Sequence, residues 1–371
     1  MWPDNRILDL FGIQVPIIQA PMAGPVLADM VVAVSEAGGL GSLPCALLSV
    51  EQTRAEVEAI RRQTTRPINL NFFCHTPPRV DANREALWRQ RLERYYLELG
   101  LDRNESVPSV SRAPFDGTMC DLVIELHPEV VSFHFGLPDE KLLGRLRGTG
   151  TKVISSATSV DEARWLEDRG CDAVIAQGYE AGGHRGIFLT DDVSTQAGTM
   201  ALVPQVVDAV NVPVIAAGGI ADARGIVAAF ALGAAAVQMG TAYLLCPEAR
   251  ISALHREALR NAKDNQTVLT NVFTGRPARS IVNRVVSELG IMSDEVPAFP
   301  LAAAALAPLR SKSEMAGSGD FTPLWSGQAA RLARELPAAE LTKRLATETL
   351  ERLEQHRTTT AKSEGTAQGT N

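Results

Sequence analysis

The chain has 371 residues, a hydrophobic fraction of 45%, a charged fraction of 21% and a net charge of −7. This balance suits a soluble globular enzyme with one large domain of about 250 residues and a smaller region, whose core needs neither disulfide nor metal. The acidic excess argues against nucleic acid, whose binders carry a basic footprint, and no apolar run reaches the roughly 18 residues of a membrane span.

Residues 1–6 lack the basic-then-apolar layout of a signal peptide, so the expectation is a cytoplasmic protein. Short apolar, β-branched runs follow at 16–20, 39–43, 68–72, 130–135, 152–156, 172–177, 213–217 and 235–239. Amphipathic helical patterns lie between most of them, at 50–63, 139–147, 159–169 and 222–232. Strands that alternate with helices pair in parallel, because each crossover covers a face of the sheet. Eight such units within about 230 residues predict an α/β fold of the (β/α)8 TIM-barrel class, with an added, mostly helical, substrate-covering region.

Two segments interrupt the rhythm. An insertion at 75–128 carries a charged helix over 83–99 and a loop at 106–115. Beyond the eighth strand, 247–356 reads as helices joined by proline-bearing loops. Such segments build pockets and lids at the C-terminal ends of barrel strands, or else pad the barrel or make a dimer contact. The predicted organisation is a barrel over 1–246, a helical cover over 247–356 and a disordered tail over 357–371, in a monomer or homodimer. Cys45, Cys74, Cys120, Cys171 and Cys246 are scattered singly, which fits a reducing compartment and offers no metal site. Cys45 and Cys74 fall near expected active-site loops, where core packing and a redox role both stand open.

Functional residues of this fold sit where strands end. The sixth strand ends in Gln177-Gly-Tyr-Glu-Ala-Gly-Gly-His-Arg-Gly186. Glycine tolerates positive φ and lets a flat ligand approach the main chain, and histidine exchanges a proton near neutral pH. His184 is therefore the candidate catalytic residue, with flanking glycines that leave it little to pack against. Gly218 and Gly219 end the seventh strand; Gln238, Met239, Gly240 and Thr241 end the eighth. Backbone N–H groups there, with the helix N-termini that follow, predict a phosphate cradle. A phosphate alone names no cofactor. Asn71 and Gln177 bring amides that donate and accept, suiting the edge of an isoalloxazine ring, and Met22 is placed to lie beneath its face. These features argue for FMN. No Gly-x-Gly-x-x-Gly follows the first strand, which disfavours a Rossmann site. His134, at the fourth strand end, either binds substrate or is a structural hydrogen-bonder. His75, His127, His255 and His356 read as surface or loop residues.

Gln19-Ala-Pro-Met-Ala-Gly24, the Gln177 to Gly186 string, Ala217-Gly-Gly-Ile220 and Gln238-Met-Gly-Thr241 together resemble nitronate monooxygenase, the family once called 2-nitropropane dioxygenase. The likeness runs over roughly residues 6 to 350 and is strongest to its first class, whose members favour propionate 3-nitronate. It implies an FMN enzyme without a metal that oxidises alkyl nitronates with O₂ to an aldehyde or oxo acid plus nitrite, through one-electron transfer to FMN. It also implies that Asn71, Gln177, Gly182, Gly219 and the Gln238 strand end bind FMN. His184 is implied as the base that takes the α-proton of a neutral nitroalkane and helps hold the nitronate. His134 and Lys312 fall in segments resembling the substrate region, with Lys312 the candidate for the substrate carboxylate. Phe321-Thr-Pro-Leu-Trp325-Ser-Gly-Gln328 resembles the cover over the flavin. The family's pocket often takes tyrosines from that cover, where this chain offers Phe299, Phe321 and Trp325.

The alternative from the same fold is an NAD(P)H-dependent FMN reductase of quinones or enoyl thioesters, which shares the glycine–histidine loop; the context of Gln177 and Arg185 favours the nitronate reading. A flavin- or phosphate-binding protein without catalysis would have no evident need for a histidine at the ring face.

Overall fold

The computed structural model describes residues 1–102 and 112–367. Eight parallel strands form the barrel: β1 (Ile17–Gln19), β2 (Gly41–Pro44), β3 (Ile68–Phe73), β4 (Val130–His134), β5 (Lys152–Ala157), β6 (Ala173–Gln177), β8 (Val214–Ala217) and β9 (Ala236–Met239). A two-residue strand, β7 (Gly183–His184), lies outside it. The strand order is β1-β9-β8-β6-β5-β4-β3-β2. A single bridge brings β2 back to β1: Leu40 N donates to Ile17 O and Gln19 N to Leu40 O, each at 3.0 Å. All eight predicted strands are present, with ends shifted by a residue or two.

Alternation along each strand divides its side chains between two cores. Ile17, Val153, Val214 and Ala216 point outward into the layer beneath the helices. Ile18, Ile154, Ile215 and Ala217 point into the lumen. Ile7, Phe11 and Ile13, on and just after the N-terminal helix Arg6–Phe11, join that lumen cluster. Further along β2, β3 and β4 the buried residues turn polar: Asn69 Nδ2 donates to Ser42 Oγ (3.0 Å) and Ser132 Oγ (2.9 Å), and Asn71 Nδ2 to Ser132 Oγ (2.9 Å). This polar layer lies toward the C-terminal mouth.

Three features depart from the sequence reading. First, the final helix, Ala338–Ala367, packs against helices Ala28–Glu36 and Ala223–Ala231 and takes the eighth helix position of the barrel. Ala338, Leu341 and Leu345 belong to the barrel's own core, and Tyr243 Oη hydrogen-bonds Thr342 Oγ1 at 2.8 Å. A boundary at 246 therefore cuts the barrel before its last helix. Second, that helix continues to Ala367, through most of the tail expected to be disordered; residues 368–371 lie outside those described. Once a packed segment has nucleated a helix, each added residue gains a backbone hydrogen bond. Third, the cover is not only helical. Its strands β10 (Thr267–Thr270) and β11 (Ala278–Ile281) form an antiparallel ribbon, and β11 pairs with β7, setting Ala278 opposite His184.

The first insertion and the cover share a core of their own. Helix Ala82–Glu98 packs on helix Ala302–Met315, burying Trp88, Leu92, Tyr96, Phe273, Leu309 and Phe321. Trp88 Nε1 donates to Ala302 O (3.3 Å) and Tyr96 Oη to Ala305 O (2.6 Å). Part of the predicted 106–115 loop falls outside the described residues. Among the described residues no helix is long and apolar enough to cross a membrane.

Candidate active site

The loop after β6 is held by two side chains from its own sequence. Arg185 is fully buried and donates to Gly178 O (2.6 Å), Gln177 O (2.7 Å) and Gln196 Oε1 (2.6 Å). Gln177 closes the loop from the other side: Nε2 donates to His184 O (3.0 Å), and Oε1 accepts Gly186 N (2.7 Å). Glu180, in the middle of the motif, accepts Thr199 N at 2.8 Å and so caps the helix Thr199–Val207, whose N-cap Gly198 has no side chain to do it. Arg185 and Glu180 thus shape the loop from behind the site, and the sequence context at Arg185 reports the loop's architecture.

His184 is half-buried, and it does not stand free of packing as its glycines suggested. Its ring meets Phe73 (6.4 Å between centroids), Phe135 (6.2 Å), Phe299 (5.4 Å) and Trp325 (5.3 Å). Nε2 lies 2.9 Å from Thr274 Oγ1, which reaches Arg276 O at 3.5 Å. With the threonine proton directed to that carbonyl, Nε2 carries the imidazole proton and Nδ1 keeps its lone pair. Burial, and then the nearby charge of Arg112, hold the pKa of His184 well below its ordinary value, so the ring is neutral at physiological pH.

His134 lines the cavity wall, with both ring nitrogens hydrogen-bonded within the fold. Its Nε2 donates to His184 O (3.2 Å), which leaves Nδ1 to accept from Ser156 Oγ (3.1 Å). Burial lowers its pKa to about 4. His75 and His255, read as surface or loop residues, are both buried, His75 in a loop and His255 on a helix. His75 sits 4.8 Å from the Phe299 ring, and His255 Nε2 donates to Trp325 O at 3.0 Å. The amphipathic spacing of His255 and Leu259 on helix Ala253–Arg260 signals the burial of the former; nothing local to Thr274 signals its role.

His184, His134, His255, Phe73 and Trp325 line one cleft at the C-terminal mouth of the barrel, together with Met22, Asn71, Gln177, Gly182, Gly218, Gly219, Gln238, Gly240 and Thr241. Gly218 and Gly219 take φ of +109° and +71°, which a side chain would strain. Among the described residues the N–H groups of Gly219, Gly240 and Thr241 donate to no protein acceptor. Gln238 Oε1 is buried without a partner. Free donors beside an unmet acceptor fit a bound group that carries both a phosphate and an amide-like edge. Gly182 serves differently, since a Cβ there would lie 2.6 Å from Ser326 C, against the cover's backbone. Met239 is buried in the barrel core and does not line the cleft. Lys312 is exposed on helix Ala302–Met315, on a side that does not line the cleft. Cys45 is a core thiol pushed up to about 12 by burial, and burial also raises Cys74, so neither is poised for redox chemistry.

Comparison with known proteins agrees with this geometry. Residues 4–348 match the family model described as nitronate monooxygenase. A nitronate monooxygenase of Pseudomonas aeruginosa is 42% identical over 346 residues, covering 93% of this chain and 99% of the relative. One from Paraburkholderia phytofirmans is 40% identical, covering 95% and 97%. The solved structure of a nitroalkane oxidase from Streptomyces ansochromogenes superposes with a TM-score of 0.84 at 38% identity, covering 93% of this chain and 98% of that one. FabK of Thermotoga maritima is more distant, with a TM-score of 0.70 at 29% identity over 95% and 98%. With its strand-end site and this likeness over nearly its whole length, the chain belongs to the nitronate monooxygenase family and is an enzyme of nitronate oxidation.

Proposed function

We propose that this enzyme uses FMN and O₂ to oxidise alkyl nitronates, with propionate 3-nitronate favoured, giving nitrite and an aldehyde or oxo acid. One observation carries the reading: His184, with Thr274 at Nε2 and no partner at Nδ1 among the described residues, lines a cleft that joins a glycine cradle to Phe73 and Trp325. The residues fit the cofactor. Gly218, Gly219, Gly240 and Thr241 would hold the phosphate through their N–H groups, while Gln238, Asn71 and the second N–H of the Gln177 amide would meet the ring edge. When bound, FMN supplies the electron acceptor.

The protein's share is binding, orientation and proton transfer. A nitronate is already an anion and needs no base. A neutral nitroalkane must first lose its α-proton, and His184 Nδ1 is the group placed to take it. Thr274 Oγ1 accepts the hydrogen bond from Nε2–H and so fixes the ring's rotation. Phe73 and Trp325, which line the cleft, would keep water from the reacting carbon, and they lack the hydroxyls that tyrosines would bring.

The test uses purified protein. A released chromophore identified as FMN, with nitrite formed and O₂ consumed on propionate 3-nitronate and no anaerobic response to NADH or NADPH, is the expected result. Bleaching by either nucleotide with an inert nitronate would move the chain to the reductases of quinones or enoyl thioesters. Protein that neither carries nor takes up FMN would remove the cofactor assignment.

A further inference from the structure

Arg112 is the only charged side chain lining the cleft among the described residues. It lies within the first insertion and is held at the mouth by Phe115, whose N donates to Phe73 O (2.7 Å) and whose ring packs edge-on against Phe72 and Phe133. The other buried arginines are spoken for. Arg185 and Arg279 donate to backbone carbonyls, and Arg276 donates to Ile187 O while lying over the Phe135 ring. Among the described residues the Arg112 guanidinium donates to no carbonyl and has the Phe299 ring beside it. Its Nε is buried without a partner among the described residues, and no carboxylate forms an ion pair with it there. An unpaired, largely desolvated cation is costly in the free protein and becomes favourable when a ligand brings the opposite charge.

Position adds direction. Arg112 Cζ lies 5.6 Å from the Phe299 ring centroid, and His184 packs 5.4 Å from the same ring. Both side chains line the same cleft, so a short substrate with its reacting carbon at His184 would extend toward the guanidinium. The glycine cradle occupies a separate part of the cleft, so the phosphate site does not account for this cation.

Resting on the nitronate reading of the site, we propose that Arg112 binds a second anionic group on the substrate, a carboxylate at the end of a short chain. It thereby sets a preference for carboxylate-bearing nitronates over plain alkyl ones. The planar guanidinium matches a carboxylate through paired N–H donors. This is the role that sequence assigned to Lys312, which the fold places elsewhere.

The experiment compares propionate 3-nitronate with the nitronate of 1-nitropropane, of equal length without the carboxylate, in wild type, Arg112→Met and Arg112→Lys. Expected is a loss of about 100-fold in kcat/KM on the carboxylate substrate in R112M, carried by KM, with a change under about 3-fold on the propyl nitronate and R112K between. Binding of unreactive succinate against butyrate, read by perturbation of the flavin spectrum, gives a readout independent of turnover. Wild type should prefer succinate, and R112M should lose the preference while retaining its flavin. Equal losses on both nitronates would mean that Arg112 holds the nitronate group itself, and no loss would mean that it holds neither; each overturns the proposal. Should R112M not fold, a wild-type enzyme indifferent to the second carboxylate would overturn it as well. A wild type inert toward both nitronates would defeat the proposed function, while the succinate comparison would still report on Arg112.

Discussion

His184 has one nitrogen fixed by Thr274 and the other free, in surroundings that keep the ring neutral. Replacing it with asparagine should leave FMN bound and lower nitroalkane oxidation by about 100-fold or more, the scale of a lost general base. Nitronate oxidation should fall far less. Equal losses on the two substrate forms would remove the proton-transfer role. Because the pKa is displaced downward, the base form is already complete at neutral pH. The kcat/KM for a neutral nitroalkane should stay level between about pH 6 and 8 and decline only in more acid solution. A bell centred near an ordinary histidine pKa would contradict this environment. The loop carrying His184 was legible because its glycines, glutamine and arginine are contiguous and act on one another. The rings around it were not, since Phe299 and Trp325 arrive from more than a hundred residues downstream. Lys312 misled because a lone cation in a string reveals its charge and not the side of the helix it occupies.

At the scale of elements, the barrel strands declared themselves through apolar runs spaced by amphipathic helices, and the alternation within each run sorts lumen from shell. The ribbon β10–β11 did not, being short and separated by loops from everything it contacts. Its pairing with β7 and the contact of Gly182 with Ser326 and Gly327 lock the catalytic loop to the cover. Gly182→Ala should therefore push the cover away from the loop, at a cost of about 1–3 kcal/mol by overpacking. The expected signs are a lower thermal midpoint and weaker retention of FMN. A variant with unchanged midpoint and flavin content would show that the two layers are free to separate. Gly183→Ala makes a useful companion, since its φ of +70° is strained for alanine while its Cβ would meet open space.

The whole molecule sets several histidines in dry surroundings. His75 and His134 have pKa values lowered to about 4, chiefly by burial, and His184 and His255 are lowered too. Each is neutral in the fold yet would be protonated in the unfolded chain below about pH 6.5. Their contribution to stability is thus complete above that pH and is lost as the pH falls toward 4. The thermal midpoint should be level above about pH 7 and fall between 6.5 and 4. Paired carboxylates such as Glu348 and Asp222, held below their usual values, add their loss at the acid end of that range and beyond. A midpoint constant from pH 7 to 5 would mean that these histidines are hydrated or already charged in the fold.

One contact near the barrel's last strand reaches beyond stability. The Glu248 carboxylate accepts Ala338 N at 3.0 Å, so the chain departs from the barrel and comes back to it at neighbouring points. Everything between is a cassette. The Phe299 and Trp325 rings that flank His184 are thereby carried on a stretch of chain whose two ends meet.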